Sequence, residues 1–394
     1  MPLLLLLALL LPDYTQRGFV ESWATIYPQK AANDSAHVIG EVQIQYEGFY
    51  RPWNSLQISG SLEFRSDTHH QTEREFRLDW DDRSRQRPML SLRRLSAEYH
   101  RGGFSIQAGK QLVRWGRTDI VNPTDRFAPR DFLTVVENEF FGITALRGIY
   151  ERGPHTIDVV WSPRLTPSRV PLPSQRWFIP PVGLPPFEVV RDIPTDSQAG
   201  IRWSYIGFVE FAAAFYSGLD HLPSYEATQG SFVVRETYPE MRMIGGDIGI
   251  PLPLVSVKGE AAYFHSPDGR ADNYVSYVIQ LERQAGEWFF VGGYGGETII
   301  EPGAQSVDFN PVRGFTRTIL ARAGYTIDAN RSFALETAIR QNFDGFWSKA
   351  EYSQAFGQHW RLTTGFTLIR GEPSDFLGQY RRNSHAVVAV RYSF

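Results

Sequence analysis

The stretch LQISGSLEF (56–64) sets Leu56, Ile58, Gly60, Leu62 and Phe64 at alternate positions, with Gln57, Ser59, Ser61 and Glu63 between them. Successive side chains of an extended strand point to opposite faces, so this segment predicts a strand with one apolar and one polar side. The same alternation recurs in VIGEVQIQY (38–46), VSVKGEAAY (255–263), YVSYVIQLE (274–282), SFALETAIR (332–340) and HWRLTTGFT (359–367). In the second of these, Val257, Gly259, Ala261 and Tyr263 oppose Lys258, Glu260 and Ala262. The polar side is therefore often a charged side.

The links between such segments alternate in length. Short turns fall at RPWN (51–54), HRGG (100–103), ERGP (151–154), SYIG (204–207), PLPL (251–254), RQAGE (283–287), DANR (328–331) and GQH (357–359). Longer links run over 67–88, 116–141, 164–196, 219–238, 266–272, 301–312 and 371–379. About 18 strands result, with 16 the alternative count: 18–27, 36–51, 54–67, 89–101, 103–115, 142–152, 154–163, 197–206, 207–219, 239–250, 254–266, 272–285, 287–300, 313–327, 331–344, 345–357, 359–371 and 380–394. Short turns on one side and long loops on the other are the layout of bacterial outer-membrane barrels. A soluble β-sandwich also alternates, but strands of 11–15 residues exceed its usual length of about 5–6. The expected fold is all-β: one transmembrane antiparallel up-and-down β-barrel over residues 13–394, with short periplasmic turns and long extracellular loops.

Composition agrees. Aromatic residues make up 14% of a chain whose mean hydropathy is −0.30, as expected when apolar residues are spread singly along strands. The net charge of −3 and pI near 6.3 carry no basic field for nucleic acid. Without cysteine there is no disulfide framework, thiolate metal site, cysteine nucleophile or covalent haem. The opening MPLLLLLALLLP (1–12) is too short for a spanning helix, which needs about 20 residues. It suits the apolar region of a secretory signal. No Lys or Arg precedes it and no A-x-A site follows, as expected of a truncated or misassigned start.

The densest polar segment is GKQLVRWGRTDIVNPTDRFAPRDF (109–132). Its run G-K-Q-x-x-x-W-G-x-x-D-x-x-N-P-x-D resembles stretches in porin-like outer-membrane proteins of bacteria, a group broadly akin to alginate-export-type barrels. MRMIGGDIGIPL (241–252) and VKGEAAYF (257–264) look like the same group. The resemblance implies a monomeric pore passing solutes in the bacterial outer membrane, and supplies no substrate. Physically, the segment gathers Arg114, Arg117, Asp119, Asp125, Arg126, Arg130 and Asp131 around Trp115 and Phe127, stiffened by Pro123 and Pro129. A loop of both charge signs at a pore constriction screens solutes by charge and size; a salt-bridged loop bracing the wall is the other reading. The proline-rich 163–195, with Trp177, Phe178 and Phe187, is expected over or inside the mouth.

An apolar face toward lipid turns the charged face inward. Glu63, Arg65, Arg147, Arg202, Lys258, Glu260, Arg322, Glu336, Arg340, Arg361 and Arg391 are then lumen-facing, as are Glu41, Arg94, Glu98, Glu210, Glu282, Lys349 and Glu351. The pairs Lys258/Glu260, Glu336/Arg340 and Lys349/Glu351 suggest ladders along strands, so a salt-bridge-filled, closed barrel serving as a scaffold or a sheath for a partner protein competes with an open channel. Tyr99, Tyr263, Tyr325, Tyr352 and Tyr392 are expected as an interfacial girdle near the short-turn ends.

Catalytic readings are poorly supported. His69 and His70 have no third ligand at metal spacing, and no metal or cofactor is expected. GGYGGE (292–297) sits in a strand pattern with no helix after it, against a dinucleotide loop. His385 has no serine partner at a useful spacing, so an outer-membrane hydrolase is the weakest alternative. The expected function is passive passage of small hydrophilic or charged solutes; the expected partners are outer-membrane lipid and the barrel-assembly machinery.

The last segment, VVAVRYSF (387–394), alternates Val388, Val390, Tyr392 and Phe394 against Arg391. It is expected to close the barrel on 18–27. The resemblance implies that Tyr392 and Phe394 also form the signal read by the assembly machinery. Deleting Phe394 should then lower the amount of chain assembled in the membrane, while channels that do assemble conduct as before. Membrane yield set against single-channel conductance checks this, and a normal yield counts against it.

Overall fold

The computed structural model describes residues 13–119, 121–179, 188–227, 233–304 and 309–394. The 1–12 segment expected as a leader, and Phe187 of the proline-rich loop, lie outside the described residues. Eighteen strands form the wall. In chain order they are β1 (Tyr14–Ile26), β2 (Val38–Trp53), β3 (Leu56–Asp67), β4 (Leu90–Arg101), β5 (Phe104–Gln111) and β6 (Ile143–Arg152). Next come β7 (His155–Ser162), β8 (Gln198–Tyr205), β9 (Glu210–Leu219), β10 (Glu240–Pro251), β11 (Ser256–His265) and β12 (Asn273–Ala285). The last are β13 (Trp288–Glu301), β14 (Thr318–Asp328), β15 (Arg331–Arg340), β16 (Gly345–Phe356), β17 (Trp360–Gly371) and β18 (His385–Ser393).

Each strand pairs antiparallel with its sequence neighbours, and β1 pairs with β18 from Phe19↔Ser393 to Ile26↔Ala386. The sheet is closed, with no free edge. At the seam, the Gly18 and Phe394 amides each donate to the other's carbonyl, at 2.9 and 3.0 Å. The Phe394 ring lies so close to Gly18 that a Cβ there would stand 2.7 Å from it. Short turns close one end, where Gly153 and Gly286 take φ of 56° and 58°, a left-handed conformation that tight hairpins require.

Burial is inverted relative to a soluble protein. On β12, Ile279 is 58% exposed while its neighbour Gln280 is fully buried. On β3, Ser59, Ser61, Glu63, Arg65 and Asp67 are buried, and Ile58 on the opposite face is exposed. Exposed apolar side chains recur around the wall, including Val42, Leu146, Ile201, Ile244, Leu335, Phe366 and Val390. Such a band is costly in water, at about 25 cal/mol per Å², and neutral in hydrocarbon. With the paired backbone, it defines a membrane-spanning wall. No helix among the described residues is long and apolar enough to cross a membrane.

Strand boundaries depart from the periodicity where the interior claims the chain. β5 stops at Gln111 because Val113 and Trp115 turn inward and are buried. Residues 311–314 form a helical turn, with the Asn310 side chain accepting from the Arg313 amide, so β14 starts at Thr318. Residues 378–383 form a 3₁₀ turn, so β18 starts at His385. A bulge opposite Ser61/Leu62 brings Arg93 to Glu63 (3.8 Å), while Arg94 pairs with Ser61. Tyr99, Tyr325, Tyr352 and Tyr392 lie toward the short-turn end, but Tyr263 is at the long-loop end, because β11 leaves its short turn at Ser256 and runs away from it.

Leu335 is exposed near the middle of β15, and Glu336 beside it points inward. Leu335→Arg should lower the unfolding free energy by about 2–4 kcal/mol, and Glu336→Gln by clearly less. Equilibrium unfolding in lipid vesicles measures both; equal effects would contradict the assignment of faces.

Candidate functional site

The 112–142 segment leaves the wall after β5 and folds into the barrel. It binds the far wall through inward side chains. Arg117 Nε donates to Asp247 (2.5 Å) on β10, and its Nη1 reaches Glu210 on β9. Glu260 on β11 accepts from the backbone amides of Arg117 (2.9 Å), Thr118 (3.2 Å) and Thr124 (2.8 Å), and from both threonine hydroxyls. The Asp119 amide donates to the Gln280 carbonyl oxygen (3.1 Å), and the Gln280 amide group donates back to Asp119 (2.7 Å). Trp115 donates its indole N–H to Asp158 (2.8 Å), which also receives Arg147. Irregular backbone at membrane depth is tolerated only where protein or water satisfies it. Here the inward wall supplies acceptors to the loop's amides.

Apolar packing fixes the same loop. Val113, Trp115 and Phe127 bury against Val160, Tyr216, Met243 and Phe264, with Trp115 and Tyr216 both edge-on to Phe127 at 5.1 and 5.0 Å. A second cluster joins Val121, Val135 and Trp177 to Trp347, Ile369 and Tyr380. Much of the lumen is thus filled.

What remains are two adjoining cavities of about 560 and 210 Å³. Both are lined by Asp119, Arg130, Asn138, Glu336 and Trp347. The larger adds Trp23, Arg65, Arg114, Glu137, Glu139 and Lys349, and the smaller adds Arg322. Nearly every charge on this rim has a partner. Arg65 meets Glu139 at 3.1 Å, Lys349 meets Glu137 at 3.0 Å, Arg322 meets Glu336 at 3.3 Å, and Arg114 meets Asp125 at 2.9 Å. Arg130 forms no ion pair among the described residues. Its guanidinium lies on the Phe140 ring at 4.3 Å, beside Arg114 on the same ring at 4.0 Å, and its nearest polar side-chain contact is Asn138 at 3.4 Å.

Of the seven charged residues expected at the constriction, Arg114, Asp119 and Arg130 line these cavities. Arg117 is tied to the wall, Asp125 is buried under Arg114 and Trp115, and Arg126 lies over Phe264 at 5.0 Å. Asp131 is elsewhere, in a buried network joining three long loops. Arg87 grips it with two hydrogen bonds (2.9 and 3.2 Å), Arg169 reaches it at 3.3 Å, and Arg169 also binds Asp82 (2.9 Å), which meets Lys110. Burial alone would raise the Asp131 carboxyl, but Arg87 and Arg169 outweigh it and hold the group below the usual carboxylate range.

Along the wall, Arg202 meets Asp247 (2.8 Å), Lys258 meets Glu282 (2.5 Å), Arg340 meets Asp375 (2.9 Å) and Arg391 meets Glu21 (2.6 Å), while Arg361 donates to Ser353 (3.0 Å). Of the three along-strand ladders, Lys349/Glu351 forms at 3.5 Å. Lys258 and Glu336 instead pair across strands, Lys258 with Glu282 on β12 and Glu336 with Arg322 directly opposite it on β14. Glu137, Glu139 and Phe140 escaped the sequence reading; the acidic pair in ENEF (137–140) was the available signal. The proline-rich loop crosses the mouth: Arg176 is buried over Tyr27 at 3.5 Å and bound to Asp34 at 3.1 Å, and Trp177 packs on Tyr380.

Barrels of this kind are known. The chain is similar in structure to Acinetobacter baumannii OccAB4 (TM-score 0.55, 10% identity, 98% of each chain covered) and to Pseudomonas aeruginosa OccK5 (OpdH) (0.55, 8%, 98% of each). It is also similar to a BenF-like porin from Pseudomonas fluorescens Pf-5 (0.55, 9%, 98% of each). No protein-family model and no curated protein matches the sequence. At such identities the likeness speaks for the fold: the chain is an 18-stranded barrel of the porin type.

Arg169→Ala should strip Asp82 and Asp131 of a shared cation. Removing one partner of a buried pair costs about 3–5 kcal/mol, so the three loops should open to protease while the wall stays folded. Because the Asp131 titration is displaced downward, its ion pairing is present above the ordinary carboxylate range and lost only as pH falls through the lowered value. Wild-type loops should therefore resist protease equally at pH 7 and pH 5. Limited proteolysis across pH, with barrel integrity followed by heat-modifiable migration, checks both.

Proposed function

We propose that this protein is a passive outer-membrane channel for small hydrophilic solutes, with the inserted loop as its constriction. The observation that carries this reading is an apolar wall around a polar interior, narrowed by 112–142 to cavities of about 560 and 210 Å³ lined by charges of both signs. That volume accommodates a small organic solute. The short turns then face the periplasm and the long loops the exterior, as in bacterial barrels. The solute's own gradient drives passage.

Selectivity follows from which charges are free. Paired groups present little net field, whereas Arg130 has no carboxylate of its own and sits on the cavity wall. The constriction therefore favours anions modestly. Kinship with alginate-export-type barrels is part of this proposal and rests on the 109–127 run. So are the barrel-assembly machinery as a partner, reading Tyr392 and Phe394, and the absence of an enzymatic role.

A second reading, a closed barrel acting as a scaffold, draws on the two apolar clusters that fill much of the lumen. Planar-bilayer recording separates the two: the folded barrel should give discrete conductance steps, and silence from correctly folded protein would sink the channel reading. Arg130→Ala should lower the anion-to-cation permeability ratio, by about two- to threefold for one unscreened charge in a narrow pore, with conductance little changed. Reversal potentials in a salt gradient measure this ratio.

A further inference from the structure

The outer wall carries a groove of about 590 Å³ across β9, β10 and β11, lined by Phe215, Ser217, Arg242, Ile244, Tyr263 and His265. These side chains alternate with the buried Tyr216, Met241, Met243 and Phe264, so they face away from the lumen. The register sorts them into two transverse rows. Ser217 is opposite Arg242, and Arg242 is opposite His265; Phe215 is opposite Ile244, and Ile244 is opposite Tyr263. The polar row lies at the long-loop end and the apolar row one step toward the middle of the wall. The groove is thus amphipathic along the barrel axis, as a lipid is.

An outward arginine costs about 2–4 kcal/mol at mid-bilayer and about 0–1 at the interface, so Arg242 stands where a headgroup would meet it. Arg242 is exposed and forms no ion pair among the described residues. The His265 ring is oriented by Nδ1 against the Asn273 side-chain oxygen (3.2 Å), which also accepts from the Ser266 amide (2.8 Å). Its Nε2 has no protein partner among the described residues. Glu240 lies on the same strand face beyond Arg242, and Asp268 accepts from the Glu240 amide at 3.2 Å. This acidic rim disfavours an anion any higher, leaving the Arg242–His265 row as the level for negative charge.

We propose that this groove holds an anionic phospholipid-type molecule of the surrounding leaflet. Its phosphate would lie against Arg242, His265 and Ser217, and an acyl chain over Phe215, Ile244 and Tyr263. A planar guanidinium suits phosphate oxygens, and the aromatic and aliphatic floor suits a chain. The inference rests on the outer wall facing lipid, but is independent of what passes through the lumen.

The test is native mass spectrometry of the full-length barrel in detergent, titrated with phosphatidylglycerol, with phosphatidylcholine of the same chains, and with inorganic phosphate. The expected result is a one-to-one phosphatidylglycerol adduct, bound about tenfold more tightly than phosphatidylcholine. Arg242→Gln combined with His265→Gln should abolish that preference. Arg242→Lys should keep most of it, and Arg283→Gln at the other end of the wall should leave it unchanged. Heat-modifiable migration confirms that each variant is folded. Equal binding of the two lipids by wild type, or an unaltered preference in the double variant, overturns the proposal. Displacement of the lipid by inorganic phosphate alone would also overturn it, by identifying a site for a free anion. Failure of the barrel to insert into vesicles at all would refute the lipid-facing wall itself, whereas insertion without headgroup preference would refute only the groove.

Discussion

Inside a bilayer no water reaches the backbone, so each N–H and C=O of a spanning strand must find its partner in a neighbouring strand. Everything else in this molecule follows from meeting that condition by closure. The pairing of β1 with β18 removes the last free edge. Closure by sequential hairpins then gives the wall an inside and an outside. Once the outside meets lipid, each charged residue along a strand is committed to the interior.

That commitment creates a second problem, because an 18-stranded cylinder encloses more space than its own side chains fill. The chain resolves it with its loops. The 112–142 segment has polar backbone to satisfy, and the inward wall offers Glu260, Asp247, Asp158 and Gln280. Wall and loop are complementary: carboxylates that would otherwise need water accept the loop's amides, and Trp115 and Phe127 find a dry pocket between β7 and β12. The pair of adjoining cavities is what this packing leaves over. Its rim is nearly neutral pair by pair, which is why one unpaired arginine stands out.

Strand order, strand number and facing were legible because a period of two survives any surroundings. Hairpin ends were legible from Gly, Pro and Asn at the short turns. The 109–132 segment stood out because charges and aromatics are dense there. The sequence did not say that Asp131 belongs to a clamp with Arg87 and Arg169, since those residues are separated by 44 and 38 positions. Nor could it place Arg93, because a bulge breaks the alternation that assigned its neighbours.

By itself the sequence determined the closed, inside-out wall: alternation is a local property, and lipid on one face and water on the other leave it a single orientation. Only the tertiary structure decided which charges are spent in pairs and which, like Arg130 on the cavity wall, are not. Ion pairing depends on distances of a few ångströms between strands and loops far apart in the chain. Arg117 and Arg130 are alike in sequence, yet one is bound to Asp247 on the opposite wall and the other lies on Phe140 beside open space. The difference comes from the path of the loop through the lumen, and that path is set by where Trp115 and Phe127 can be buried.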